Sequence, residues 1–125
     1  MKIGINLYPN FLDLPLSSLK EGLLNANNLI FAKQLGVSHV IAWMPFPPGE
    51  GFWAFDDLIQ LKKFIEEYGL KLEAIENLPP LHYDKILFGL EGREEQIKNI
   101  SKTINNMGKV GINCLGYSFS ISLYY

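Results

Sequence analysis

The sequence predicts an α/β fold in which parallel strands alternate with helices. First, apolar runs typical of buried strands alternate with segments in which apolar residues recur every three or four positions, as on one face of a helix. Second, a glycine stands between a helical segment and the next strand three times, at Gly36, Gly69 and Gly111. Third, the long connections follow strands and the short glycine turns follow helices. This pattern is typical of βαβ units with right-handed crossovers.

Four segments are predicted to be strands. They are residues 2–8, 39–43, 72–75 and 112–119. The first shows apolar residues at a period of two, and the second is almost continuously apolar, which favours burial on both faces of a parallel sheet. The third stops before Pro79 and Pro80, since neither proline can donate to a ladder. Cys114 lies in the fourth segment, and we expect it to be a small buried side chain.

Three segments are predicted to be helices. The first opens with a capping box at Ser18, the second has Asp56 as its N-cap, and the third opens with two acidic residues after Arg93. In each helix an apolar stripe is expected to face the core. The stripes are Leu19, Leu23, Ala26 and Ile30; Leu58, Leu61, Ile65 and Tyr68; and Ile97, Ile100, Ile104 and Met107.

The number of strands predicts half of a larger fold. A (β/α)8 barrel takes about 250 residues and eight strands, whereas this chain has 125 residues and four predicted strands. We therefore predict the first half of a (β/α)8 TIM barrel, with four parallel strands and three helices. It would form a single partial domain over residues 1–125, truncated after the fourth strand. A flavodoxin-like sheet without its last helix is the alternative, but no phosphate-cradling glycine turn follows the first strand.

Composition argues against several classes of protein. With 48% hydrophobic and 19% charged residues, the chain has ample material for a core. Its 11 basic and 13 acidic side chains are scattered and give a net charge of −2, which argues against nucleic acid as a partner. The N-terminus does not resemble a signal peptide, no apolar run approaches the roughly 20 residues of a membrane span, and there is a single cysteine. We expect a cytoplasmic protein that has no membrane partner.

The ends of the predicted strands suggest a binding site. Glu76 and Asn77 end the third strand, and the chemistry of such barrels lies at the carboxyl ends of their strands. His82 follows in the next loop, where an imidazole that titrates near neutral pH can bind or protonate a ligand. Trp43 and Tyr117 stand at two other strand ends and can line a pocket with their amphipathic rings. The structural alternatives are a carboxylate that caps loop amides, a solvent-facing histidine and aromatic rings that plug the barrel.

Two further residues are interpreted as structural or left open. His39 begins the second strand at its amino end, so we expect a hydrogen-bonded core histidine there rather than a ligand-binding one. Trp53 follows the proline-rich loop at residues 44–51 and either covers the site as part of a lid or packs locally.

Short motifs in the second half of the chain resemble the N-terminal half of mannonate dehydratases. They are Ile75-Glu76-Asn77-Leu78-Pro79, His82-Tyr83-Asp84-Lys85-Ile86, Gly92-Arg93-Glu94-Glu95-Gln96-Ile97, residues 103–112 and Leu115-Gly116-Tyr117-Ser118-Phe119. The first half resembles the family mainly through its βα pattern. The resemblance implies a xylose-isomerase-like TIM barrel in which a divalent metal, typically Mn²⁺, helps to eliminate water from D-mannonate. The product would be 2-keto-3-deoxy-D-gluconate, in hexuronate (glucuronate) catabolism, and the partner a small sugar acid.

The chain also departs from that family. The family's arginine and tryptophan near the first strand are absent here, and Ser120-Ile121-Ser122 replaces its Met-Pro continuation. The resemblance places the metal ligands on later strands, so we expect none in this chain, assign no catalytic residue, and expect little or no activity from the 125 residues alone. Alternatives are a fragment of a sugar isomerase or epimerase of the same barrel class, or a non-catalytic half-barrel that associates with itself as a homo-oligomer.

Overall fold

A computed structural model of the chain describes residues 3–7, 25–44 and 51–119. The strands are β1 Gly4–Leu7, β2 His39–Ala42, β3 Lys71–Glu76 and β4 Leu115–Gly116. The helices are α1 Ala26–Gln34, α2 Phe55–Glu66, α3 Asp84–Phe88 and α4 Arg93–Val110, and a 3-10 turn at Pro80–His82 precedes α3. The predicted capping box at Ser18, the stripe residues Leu19 and Leu23, most of the proline-rich loop and the tail from Ser120 lie outside the described residues.

The described strands form one parallel sheet in the order β1-β2-β3-β4. Helical connections separate neighbouring strands, as expected of the first half of an α/β barrel. The register is regular except for a bulge between β2 and β3, where Val40 pairs with Leu72 but Ile41 pairs with Ala74. Glu73 is the extra residue on the bulged strand. The predicted α/β half-barrel with four parallel strands is thus confirmed.

The three predicted glycine turns are present. Gly36, Gly69 and Gly111 have φ angles of 81°, 71° and 79°, a left-handed conformation that side chains with a Cβ rarely adopt. Each lies between the end of a helix and the next strand, as in the left-handed C-terminal turn that commonly ends a helix. These turns keep each connection at the amino edge of the sheet short.

The fourth strand is shorter than predicted. Residues 112–119 were expected to be extended, but β4 pairs with β3 only through Leu115 and Gly116. Ile112 is buried ahead of the strand, whereas Cys114 is exposed, so the prediction of a buried cysteine is wrong. Cys114 contributes its carbonyl, which accepts a hydrogen bond from the Ile75 N–H at 3.1 Å, and its side chain stays outside the core.

The first two helices differ from prediction mainly at their starts. In α1, Asn25 is the N-cap and accepts a hydrogen bond from the Asn28 N–H at 2.9 Å, which explains an asparagine just before the helix. Ile30 was expected to face the core but is 45% exposed. In α2, Ala54 rather than Asp56 is the N-cap. The α2 stripe is confirmed, with Leu58, Leu61 and Ile65 fully buried and Tyr68 partly buried.

The last two helices show the largest difference from the predicted pattern. α3 is an additional short helix, so the described part of the chain has four α-helices rather than three. In α4 half of the predicted stripe is confirmed, since Met107 is buried and Ile100 packs against the core. Ile97 and Ile104 are 45% and 54% exposed. The buried residues of α4 are Gln96, Thr103, Met107 and Val110. Two of these four are polar: Thr103 accepts a hydrogen bond from the connection before α2, and Gln96 accepts one from α3.

A single core lies between the sheet and its helices. Its largest fully buried side chains are Trp53, Tyr83, Leu29, Leu58, Leu61, Ile65, Leu72, Ile75, Ile112, Val40 and Thr103. Every described strand and every described α-helix contributes a buried apolar side chain to the core or packs a partly buried one against it, including Leu115 on β4 and Ile86 and Leu87 on α3. Among the described helices, none combines the length and apolar character needed to cross a membrane.

Candidate functional site at the carboxyl edge of the sheet

The register brings the predicted strand-end residues to one edge of the sheet. Across the four strands, Leu7 pairs with Ala42, Ala42 with Ile75, and Ile75 with Leu115. The next residues along the chain therefore emerge side by side, because all the strands are parallel. They are Trp43 after β2, Glu76 and Asn77 at the end of β3, and Tyr117 after β4.

Glu76 and Asn77 are held against β4. The Asn77 N–H donates to the Gly116 carbonyl at 2.8 Å, so the backbone continues to follow β4 beyond the end of β3. A Cβ added at Gly116 would lie 3.6 Å from Cγ of Glu76, so the half-buried Glu76 side chain runs over this glycine. Asn77 has a φ angle of 59°, the one left-handed conformation among the described non-glycine residues. Asparagine tolerates this conformation better than most residues, so its presence here also has a backbone reason.

His82 lies inside the protein rather than on a solvent-facing loop. The residue is 3% exposed and its ring centre is 6.2 Å from that of Trp53. Burial lowers the pKa of the His82 imidazole from 6.5 to about 4, because the charged form loses its hydration. The expectation that it titrates near neutral pH is therefore wrong. His82 is a neutral imidazole near pH 7, which can donate or accept a hydrogen bond but is not a ready proton donor.

A row of aromatic rings connects the predicted residues. Trp53 contacts His82, and the next residue along the chain, Tyr83, stacks on Phe119 with ring centres 4.5 Å apart and planes inclined by 12°. Phe119 in turn meets Tyr117 edge to face at 5.7 Å. The structure thus links His82 to Tyr117 through two rings that the sequence prediction did not include. Tyr117 itself is 72% exposed, whereas Tyr83 is fully buried.

Three buried polar atoms in this row have no hydrogen-bond partner among the described residues. They are Nε1 of Trp53, Nδ1 of His82 and the hydroxyl of Tyr83. A buried polar group without a partner costs about 1–3 kcal/mol. Unpaired buried polar groups are rare in native proteins, and each one calls for an explanation. Apolar packing by itself does not explain why three of them lie around His82.

Helix α4 holds this row from behind. The Trp53 N–H donates to the Thr103 hydroxyl at 3.0 Å, and the Asn106 amide donates to the Trp53 carbonyl at 2.9 Å. Trp53 is therefore a packed core residue held by α4, and the lid interpretation is not supported by its position. Gln96, also on α4, hydrogen-bonds to the segment that carries His82. Sequence reasoning overlooked Gln96, although its spacing of seven residues from Thr103 was visible.

At the opposite edge of the sheet His39 is hydrogen-bonded, as predicted, but it is partly buried and does not belong to the core. His39 lies at the amino end of β2, where its Nδ1 is 2.7 Å from the Ser38 hydroxyl and its Nε2 is 3.6 Å from the Glu73 carboxylate. Glu73 is the bulged residue of β3 and also lies 3.7 Å from the Lys71 ammonium. His39 and His82 are thus at different ends of the sheet and cannot share a ligand.

The described residues do not fit a divalent metal. No group of three or more histidine, cysteine, aspartate or glutamate side chains in this part of the chain could hold an ion. Glu76 and His82 are the two potential ligands among the predicted site residues, and they fall short of the minimum set that such ions need.

Comparisons with known proteins agree with this geometry. The family model of the D-mannonate dehydratases (UxuA) matches residues 22–124. The chain belongs to the D-mannonate dehydratase family. A mannonate dehydratase from Thermotoga maritima is 41% identical over 85 residues, which cover 67% of this chain and 23% of that protein. One from Geobacillus thermodenitrificans is 33% identical over 84 residues, covering 67% of this chain and 22% of that protein.

A solved structure agrees at the level of the fold. The crystal structure of mannonate dehydratase from Streptococcus suis serotype 2 matches with a TM-score of 0.69 and 24% identity, over 95% of this chain and 30% of that one. The chain therefore spans between a fifth and a third of the length of these D-mannonate dehydratases. The residues described here correspond to one part of a larger enzyme fold.

Proposed function

We propose that this chain forms part of the substrate-binding wall of a mannonate dehydratase. The whole enzyme would eliminate water from D-mannonate to give 2-keto-3-deoxy-D-gluconate, in the cytoplasmic catabolism of hexuronates such as glucuronate. Membership of the family supports the reaction. The observation that carries the assignment to this chain is that Trp43, Glu76, Asn77 and Tyr117 emerge together at the carboxyl edge of a parallel sheet, where barrels of this class place their chemistry.

Each strand-end residue suits a sugar acid in a different way. The Glu76 carboxylate can accept hydrogen bonds from hydroxyl groups, and the Asn77 side-chain amide can both donate and accept. The rings of Trp43 and Tyr117 can cover the apolar C–H faces of the substrate while their polar atoms remain available. His82, neutral near pH 7, would contribute a hydrogen bond rather than a proton. These roles are binding and orientation, and they hold the substrate while its hydroxyl leaves.

Elimination needs further groups that we place elsewhere in the whole enzyme. A base must remove the proton next to the substrate carboxylate, and an acid must protonate the departing hydroxyl. The described residues do not fit the family's expected divalent ion, Mn²⁺ by resemblance, so no step is assigned through a metal here. We propose that the 125-residue chain has little or no dehydratase activity by itself and that its partner is a small sugar acid.

A chimera tests this proposal. The chain would replace the matching segment of the Thermotoga maritima mannonate dehydratase, and formation of the 2-keto acid from D-mannonate would be followed. We expect turnover by the chimera and none by the 125-residue chain. In the chimera, Glu76→Gln should lower kcat/KM by at least about tenfold, the loss of one charged hydrogen bond. Glu66→Gln, on the exposed end of α2 near the opposite edge, is the matched control.

The outcome distinguishes the reaction classes. An active chimera that is insensitive to Glu76→Gln would remove Glu76 from the binding wall. A chimera that isomerises or epimerises sugars without dehydrating D-mannonate would instead support the alternative activity within the same barrel class.

A second candidate function is self-association of the half-barrel. β1 and β4 are the outer strands of the described sheet, and uncovered edge strands favour pairing. Large apolar residues are also exposed on or beside the flanking helices, including Phe31 on α1, Leu35 directly after it and Ile104 on α4. A second copy would supply the four further strands of an eight-stranded barrel. Light scattering after size exclusion would show a discrete dimer in that case, and a monomer would contradict it.

A further inference from the structure

Gln96 is the one buried side-chain amide among the described residues, with 8% of the residue exposed. It lies in the first turn and a half of α4 and faces the 3-10 turn and α3. Burying an amide is costly unless its donors and acceptor are satisfied. Here both kinds of atom are used, and all the partners belong to one short stretch of chain.

The amide spans the residue that precedes His82 and the residues that follow it. Its Nε2 donates to the Leu81 carbonyl at 2.9 Å and also to the Asp84 carboxylate. Its Oε1 accepts from the Ile86 N–H at 3.1 Å. The Leu81 side chain is 67% exposed, so these polar contacts hold the backbone at a point where apolar packing on that side chain is weak.

The same helix also fixes the ring that His82 contacts. Thr103 and Asn106 hold the backbone of Trp53 from both sides of its peptide. Gln96 and Thr103 are seven residues apart, two helical turns, and therefore lie on the same face of α4. One rigid helix thus determines where both partners of the Trp53–His82 contact lie.

We propose that Gln96 is a positioning residue that holds His82 beside Trp53 at the carboxyl edge of the sheet, by bonding to the backbone and side chain on either side of it. The relevance to substrate rests on the proposed function, since His82 matters to the reaction only if this edge binds the sugar acid. These hydrogen bonds fix the position of the segment from Leu81 to Ile86 relative to α4. Without them the 3-10 turn would be free to move outward and expose the imidazole.

The ionisation of His82 reports on this position. The full 125-residue chain has two histidines, so each imidazole gives a separate signal in a nuclear magnetic resonance titration, and His39 is the internal reference. In the wild-type chain His82 should titrate near pH 4 because it is buried. Gln96→Met keeps the length of the side chain and removes all its hydrogen bonds. We expect the pKa of His82 to rise by about one unit or more as water reaches the ring.

Two more variants keep the test decisive. Gln96→Leu also removes every hydrogen bond of the amide and adds no charge near His82, so it should give a similar rise, and it replaces Gln96→Met if that variant fails to fold. Val110→Ala is the matched control, because Val110 is buried on the same helix about 20 Å further along its axis. It should lower stability while the titration of His82 stays unchanged. An unmoved His82 in both Gln96 variants, or an equal shift in Val110→Ala, would overturn the role of Gln96.

Binding of substrate is tested separately, so that the proposed function and the positioning role of Gln96 can fail independently. D-mannonate added to the isotope-labelled wild-type chain should shift the amide signals of Asn77 and His82, and these shifts should weaken in Gln96→Met. No response in the wild-type chain, together with an inactive chimera, would overturn the proposed function, while the titration still decides the structural role of Gln96. Equal responses in wild type and Gln96→Met would overturn the positioning of the substrate site by this residue.

Discussion

The backbone at Asn77 is left-handed, so the stabilities of alanine and glycine variants should rank differently there than in a helix. Asn77 has a φ angle of 59°. An L-residue with a Cβ pays about 1–2 kcal/mol in this conformation, and asparagine pays less. Asn77→Ala should therefore lower the free energy of unfolding by about 1 kcal/mol. Asn77→Gly removes the Cβ clash but loosens the unfolded chain, so it should stay within about 0.5 kcal/mol of wild type.

The contact that surrounds this residue does not change in either variant. The hydrogen bond from the backbone N–H of residue 77 to the Gly116 carbonyl needs no side chain. Asn105 provides the control, because it is exposed in the middle of α4. There the order should reverse, with Asn105→Gly less stable than Asn105→Ala by about 1 kcal/mol, the difference in helix propensity.

Urea unfolding of the four variants, followed by far-ultraviolet circular dichroism, measures these differences. A loss of about 1 kcal/mol corresponds to a fall of about 4–8 °C in the melting temperature of a domain of roughly this size. Equal stability of Asn77→Ala and Asn77→Gly, or the same ranking at positions 77 and 105, would refute the argument from backbone conformation. If Asn77→Gly is stable but abolishes the D-mannonate response, the amide has a binding role beyond the backbone.

Three further predictions follow from single contacts. Thr103→Val should lower the free energy of unfolding in urea by about 1–3 kcal/mol, because it leaves the buried Trp53 N–H without its acceptor. A loss below the error of the measurement would show that another acceptor replaces the hydroxyl. The pKa of His82 is lowered in the folded state, so the unfolded chain binds the extra proton first. The free energy of unfolding should therefore fall by up to about 3 kcal/mol as the pH drops from about 6.5 towards 4. His82→Gln should flatten this dependence on pH, and an unchanged slope would contradict the argument. Cys114 is exposed, so its thiol should react with a thiol reagent in the native protein nearly as fast as in urea. A much slower reaction in the native protein would show that the side chain is covered.

Four of the five predicted site residues could be assigned from information that is local in the sequence. Glu76, Asn77, Trp43 and Tyr117 could be assigned to strand ends because prolines, glycines and apolar runs mark where strands stop. Parallel pairing then places those ends at one edge, and the structure has them there. Their roles toward a sugar acid remain predictions.

The environment of His82 was not predictable in the same way. Its burial depends on Trp53, which is 29 positions earlier in the chain, and on α4, which comes later. Two prolines precede it and an aspartate and a lysine follow it closely, so the stretch resembles an exposed loop. The shift of its pKa results from that tertiary burial and has no counterpart in the local sequence.

What the sequence alone determined is the order and direction of the strands and helices. Hydrophobic periodicity and the three glycine turns are properties of consecutive residues, and they are sufficient to predict a parallel α/β half-barrel. What only the tertiary structure decided is which residues complete the buried face of α4 beside Ile100 and Met107. Gln96 and Thr103 are buried there and Ile97 and Ile104 are exposed, because the segments behind α4 present backbone N–H groups that need polar partners. A buried backbone group left unpaired costs more than an exposed isoleucine.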